Sequence, residues 1–214
     1  MIDLETTGVK AAHDRIIELA AVRKAPGEPT RVLHTLVDHG GRSAGPTHIH
    51  GITRRMLDGA PPIEAVLPLL SELCEGATMV AHNASFEHRF LSAEMARSGG
   101  SWGLPRLCTL ALARRLHPER KRHPGHRLGG MAELYEVPVR DAHAALGDVR
   151  MMSAMLGGML RRFAEHERLP RWLGESTRPA TDELRWPDRR SGVRLKPRRL
   201  SRARATRAAV PRQT

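Results

Sequence analysis

A chain of 214 residues with 40% apolar content has material for one good-sized core plus an appendage, and its formal charge of +12 is spread unevenly. Residues 1–165 carry 21 Lys+Arg against 18 Asp+Glu, whereas residues 166–214 carry 14 against 5. Two cysteines, Cys74 and Cys108, with no CxxC or Cys/His cluster, argue against a disulfide framework or structural zinc and suit a reducing cytoplasm; the acidic, polar start does not read as a signal peptide, so none is expected, and no apolar run approaches the roughly 18 residues of a membrane span.

In chain order, Met1–Leu4 reads as the end of a strand. Arg15–Arg23 and Arg31–Val37 read as two more, with the Pro26-Gly27 turn signal between them, so the chain opens as an antiparallel meander. Ile63–Cys74 repeats Val66, Leu67, Leu70 and Leu73 at helical spacing. Thr78–Ala81 is a short buried strand and Ser85–Arg97 a helix with Phe86, Phe90 and Leu91 on one side. Arg106–Thr109 is a further strand that runs into a helix over Leu110–Leu116, and Leu128–Tyr135 and Ala144–Glu165 are the last helices. Strands first, then helix and strand in alternation, predict an α/β fold with a mixed sheet flanked by helices.

His117–Arg127 is a basic loop. After Leu169 the apolar period decays, prolines recur at 170, 179, 187, 197 and 211, and no acidic residue follows Asp188. The chain is therefore divided into a domain over 1–165 and a basic, mostly disordered tail over 166–214. Such a tail suits salt-sensitive contact with nucleic acid phosphates. Arg outnumbers Lys 31 to 4, so a GC-rich genome explains the same composition.

Three short patterns carry chemistry. Asp3 and Glu5 are two apart, so on a strand both carboxylates face one side, and Thr6-Thr7-Gly8 follows as a turn where backbone can approach a ligand. Glu87 lies in Ala81–Glu87, in the first turn of a helix, where an acid is also favoured by the helix dipole alone. His143 and Asp148 are five apart, about 140° around a helix. They share a site only if Asp148 is helical and His143 lies in the loop before it, where a neutral imidazole can take a proton from a metal-bound water.

Taken together and in order, these patterns resemble the DEDDh family of 3′–5′ exonucleases. Ile2–Gly8 is similar to its first motif, D-x-E-T-T-G, and Val80–Leu91 to its second, A-H-N-A-x-F-D-x-x-F-L. Ile49–Thr53, Thr109–Leu116 and the third motif H-x-A-x-x-D at His143–Asp148 add to the match, which runs over about residues 1–162. The resemblance implies a ribonuclease-H-like, five-stranded mixed sheet and two divalent cations, Mg²⁺ or Mn²⁺. It implies Asp3, Glu5, Glu87 and Asp148 as metal ligands, with Asp3 bridging both ions, and His143 as general base. It further implies Thr6, Thr7, Gly8, His82, Asn83 and Phe86 as substrate-binding residues, and release of nucleoside 5′-monophosphates.

Two departures from the family pattern matter. Glu87 stands where the second motif has Asp; the added methylene extends the carboxylate by about 1.5 Å, which predicts reduced rather than absent activity, with manganese favoured. Relatives also have several apolar residues before the first Asp, where this chain has Met1 and Ile2, which predicts a first strand truncated at its start or a true start lying upstream. DNA 3′ ends, single-stranded or frayed, are the expected substrate, in the cytoplasm. With Gln213 as the sole glutamine there is no clamp-binding peptide, so a DNA polymerase partner is left open and a stand-alone enzyme favoured. The competing readings are an RNA-trimming exonuclease of the same family and a catalytically weakened nucleic-acid-binding protein.

Overall fold

β1 (Ile2–Thr6), β2 (Ile16–Arg23) and β3 (Arg31–Leu36) form an antiparallel sheet in that order. This is a computed structural model, and it describes residues 1–41, 43–120, 125–138 and 144–166. β2 is buried from Ile16 to Val22, as a central strand covered on both faces must be. β1 alternates: Ile2, Leu4 and Thr6 are buried on one face while Asp3 and Glu5 occupy the other. The register sets Asp3 opposite Ala20 and Glu5 opposite Glu18, then shifts between Glu5 and Thr6. That irregularity ends regular pairing where the Thr6–Gly8 turn departs.

Two four-residue helical turns follow, α1 (Thr47–His50) and α2 (Arg54–Leu57), both too short for the sequence to show a period. α3 (Ile63–Cys74) keeps the predicted bounds. β4 (Met79–Ala81), α4 (Ala84–Arg97) and β5 (Arg106–Cys108) make a βαβ unit whose strands pair in parallel. The chain closes its described part with α5 (Thr109–Leu116), α6 (Leu128–Leu134) and α7 (Ala145–His166).

The sheet separates two cores. On one face Ile2, Leu4, Leu19 and Ala21 pack against α3 and α4 through Leu67, Leu70, Phe90 and Leu91. On the other, Ala20 and Val22 meet α7, whose Ala145, Val149, Met152, Met155, Met159 and Phe163 recur at three- and four-residue spacing. Asp148 lies on the same stripe as Ala145 and Met152, so α7 carries it toward the face that holds Asp3 and Glu5.

The architecture is the expected α/β sandwich of helices around a sheet, with one difference in detail. β4 packs beside β1, yet among the described residues no ladder joins them, so the five strands described divide into an antiparallel three and a parallel two. Three residues of β4 offer few backbone groups for such a ladder. Met1 extends the pairing at the other end of β1, donating from its α-amino group to the Val22 carbonyl at 2.7 Å and accepting from the Val22 amide at 2.8 Å. Among the described residues no helix is long and apolar enough to cross a membrane. The disorder expected over 166–214 falls, beyond His166, outside the described residues.

Candidate active site

β1 and the first turn of α7 bring the carboxylates of Asp3, Glu5 and Asp148 together, with one oxygen of each within 4.8 Å of the others. Glu87, in the first turn of α4, is 4% exposed, and its Oε2 is buried without a hydrogen-bond partner. A buried acceptor left unpaired costs about 1–3 kcal/mol, and more when charged.

This crowding shows in the acidities. Burial lifts the Asp3 carboxyl well above the ordinary carboxylate range, and the charges of Asp148, Glu87, Glu5 and Glu18 lift it further. Burial, then Glu18 and Asp148, push Glu5 up to about 8. Burial pushes Glu87 up to about 7. Carboxylates crowded this way favour their protonated forms unless a nearby positive charge offsets the repulsion. Four oxygen donors, one of them orphaned, fit a hard divalent ion of the Mg²⁺ or Mn²⁺ kind and do not fit a thiolate- or imidazole-seeking one.

His143 lies outside the described residues. α7 begins at Ala145 and Asp148 stands in its first turn, the helical placement that the five-residue spacing asks of Asp148.

The residues expected to grip substrate differ in what they already do. Thr6 donates its hydroxyl to the Gly8 carbonyl. Thr7 accepts the Arg15 amide at 3.0 Å through its hydroxyl oxygen, and its own amide donates to the Arg15 carbonyl at 2.9 Å. The turn is thus closed on itself, and it is buttressed from outside. Gly45, at φ +82°, sits so close that a Cβ there would overlap the Thr7 carbonyl. Asn83 is exposed at the start of α4 with φ 142° and ψ 56°, a conformation rare for a residue with a side chain. Strain of this kind clusters at functional sites. His82 has both ring nitrogens engaged, Nδ1 with Thr109 Oγ1 at 2.9 Å and Nε2 with the His126 carbonyl at 2.8 Å. It ties β4 to α5 and to the segment before α6. Phe86 is half-buried with its ring 4.8 Å from that of Phe90.

Glu18 and Glu94 carry weight here without standing out in any motif. Glu18 is 5% exposed beside Glu5, and Glu94 is 0% exposed beneath the turn that follows β1. In the sequence Glu18 shows only as a lone acid flanked by apolar residues, in Ile16-Ile17-Glu18-Leu19-Ala20, with nothing local to tie it to Glu5 or to α7.

A family model for exonucleases, the RNase T type, matches residues 1–156. The chain belongs to this exonuclease family. Its relatives include the PolC-type DNA polymerase III of Lacticaseibacillus paracasei, 34% identical over 167 residues that make up 77% of this chain and 11% of that protein. The chain therefore spans about a tenth of such a relative's length. Among solved structures, exonuclease X in complex with 5′-overhanging duplex DNA is 28% identical, with a TM-score of 0.61 over 82% of this chain and 97% of that one. Exonuclease I of E. coli bound to a dT13 oligonucleotide, at 19% identity, 77% of this chain, 42% of that one and a TM-score of 0.57, shares the fold. Membership makes the domain a DEDD-type 3′–5′ exonuclease domain.

Proposed function

We propose that this domain is a divalent-cation-dependent hydrolase that removes nucleoside 5′-monophosphates one at a time from DNA 3′ ends. The observation that carries the reading is the convergence of three carboxylates within 4.8 Å beside the unpartnered, buried oxygen of Glu87. Asp3, Glu5, Glu87 and Asp148 would hold two cations, Mg²⁺ or Mn²⁺. When bound, these supply Lewis acidity toward water and phosphate and offset charge on the leaving oxygen.

The remaining work falls to the chain itself. His143 would take the proton of the attacking water through a ring nitrogen. Gly8 closes the turn that follows β1 against Asp14, whose carboxylate a Cβ at position 8 would overlap. Asn83 offers an exposed amide at the start of α4, and Phe86 an apolar edge to the last base. DNA is favoured over RNA because exonuclease X was captured on DNA and the PolC relative is a DNA polymerase. A polymerase partner has the same PolC likeness behind it.

The test is digestion of 5′-labelled single-stranded DNA in Mg²⁺, Mn²⁺ or EDTA, with an RNA of the same sequence alongside. A ladder receding from the 3′ end, present with metal and absent in EDTA, is the expected result. Binding that survives EDTA and weakens steeply with salt, without a ladder, would instead make this a nucleic-acid-binding protein that works through its basic residues.

Glu87 gives a second prediction. Glu87→Asp withdraws the carboxylate and is expected to raise the Mg²⁺-supported rate relative to the Mn²⁺-supported one by about tenfold, since an ångström of misplacement near reacting atoms costs up to about 10²-fold. The ratio of the two rates in each protein checks it, and an unchanged ratio would mean that Glu87 already places its ion well.

A further inference from the structure

We propose that Glu18 and His34 are positioning residues for the carboxylate centre: Glu18 holds the first turn of α7, and with it Asp148, against β1. The inference rests on the cation-site reading above. Glu18 stands opposite Glu5 in the β1–β2 register, so the two side chains share the face that α7 covers. Its Oε2 accepts the amide of Ala145, the first residue of α7, at 3.1 Å. First-turn amides have no partner inside their own helix, and an anion there is also favoured by the helix dipole. Its Oε1 lies 2.7 Å from Nε2 of His34, which sits on β3 opposite Ala20, diagonal to Glu18 on the same face.

Both oxygens of Glu18 are therefore engaged within the protein. That separates it from Glu87, whose Oε2 has no donor, and from Asp3, Glu5 and Asp148, whose oxygens converge without it. Ala145 precedes Asp148 by three residues, less than one helical turn, so fixing one fixes the other. A fifth carboxylate in this pocket thus acts through a backbone amide, as an outer-shell partner that aims a ligand. His34 in turn keeps the Glu18 side chain from rotating away.

The measurement is Mn²⁺ affinity, read from the paramagnetic resonance signal of free Mn²⁺, together with melting in EDTA and kcat and KM on 5′-labelled DNA. Glu18→Ala is expected to weaken Mn²⁺ binding and lower kcat by about tenfold while KM moves less than about twofold. Glu18→Gln, whose amide oxygen still accepts from Ala145, is expected to stay within about threefold of the wild type. Glu18→Gln as damaged as Glu18→Ala would make the charge itself the contribution and overturn the proposal. Wild-type Mn²⁺ affinity in a Glu18→Ala protein that only melts lower would overturn it too, leaving a purely structural cap. Should Glu18→Ala not fold, His34→Ala carries the test, with Mn²⁺ binding about threefold weaker expected and an unchanged affinity overturning the proposal. Absence of Mn²⁺ binding by the wild-type chain would defeat the cation reading as well.

Discussion

Asp3→Asn is expected to lower metal-dependent cleavage by about 10³-fold or more and yet to raise the melting temperature of the metal-free protein above neutral pH. The first effect follows because a cation at the reacting phosphate contributes several kcal/mol to the transition state, and each 1.36 kcal/mol or so is about tenfold in rate. The second follows from the acidities of the centre. Asp3 and Glu5 sit well above their ordinary range, Glu5 at about 8. The folded state therefore binds protons that the unfolded state has already released. Their contribution is fully present below the unfolded value and is lost as pH rises through the folded one. An amide at position 3 removes one charge from the cluster and with it part of that loss.

Other groups titrate nearby, and a difference measurement cancels them. His82, His88 and His117 are lowered by burial, so their effect falls below their ordinary range. Met1's α-amino group, also lowered by burial, adds stability as pH rises toward 8 and opposes the carboxylates. The gap between melting in Mn²⁺ and in EDTA removes both. That gap is expected to widen from about pH 6.5 to 8.5, each proton released on binding contributing about 1.4 kcal/mol per pH unit. For a chain of this size that is about 3–6 °C per unit. A gap that stays level over this range, or an Asp3→Asn protein that melts lower in EDTA, would mean the carboxylates do not repel one another as their placement implies.

How much of this was legible in the sequence depends on whether the information was local. Asp3 and Glu5 share a face by the two-residue period of a strand alone, and the stripe from Ala145 to Phe163 announces α7. Family motifs then put Asp148 and Glu87 in the same place, and the structure brings Asp148 there. Glu18 was hidden for a different reason. A charge in an apolar run becomes meaningful only when the strand register sets it opposite Glu5 and the helix start lands on its other oxygen, and neither register nor helix docking is a local property. The same holds for His82. Its motif suggests substrate contact, while the chain folds it toward Thr109 and the His126 carbonyl, partners 27 and 44 residues away.

A reach of 79 residues, from Arg15 to Glu94, gives the other large prediction. Arg15, just before β2, donates from Nε to Glu94 Oε1 at 2.8 Å and from its terminal nitrogen to Oε2 at 3.1 Å. Arg97 lies 3.2 Å from the same Oε1 and donates to the carbonyls of Ala11 and Ala12 at 2.6 and 3.1 Å. Glu94, with no exposed surface, thus gathers the whole connection between β1 and β2, the segment that leaves the Thr6–Gly8 turn and returns to the sheet. Removing one partner of a buried ion pair costs about 3–5 kcal/mol, because the other charge stays behind unpaired, whereas exchanging the group for an apolar one of similar volume costs little. Arg15 is itself part-exposed and Arg97 still serves Glu94 when Arg15 is gone, so Arg15→Ala is expected below that range, at about 2 kcal/mol or about 4–8 °C of melting temperature. The double variant Arg15→Ala with Glu94→Met removes the stranded charge and is expected to recover more than half of that loss. Denaturant unfolding of the three proteins in EDTA decides it. Were the double variant less stable than Arg15→Ala alone, the brace would owe its strength to Arg97 and the loop carbonyls rather than to the pairing of Arg15 with Glu94.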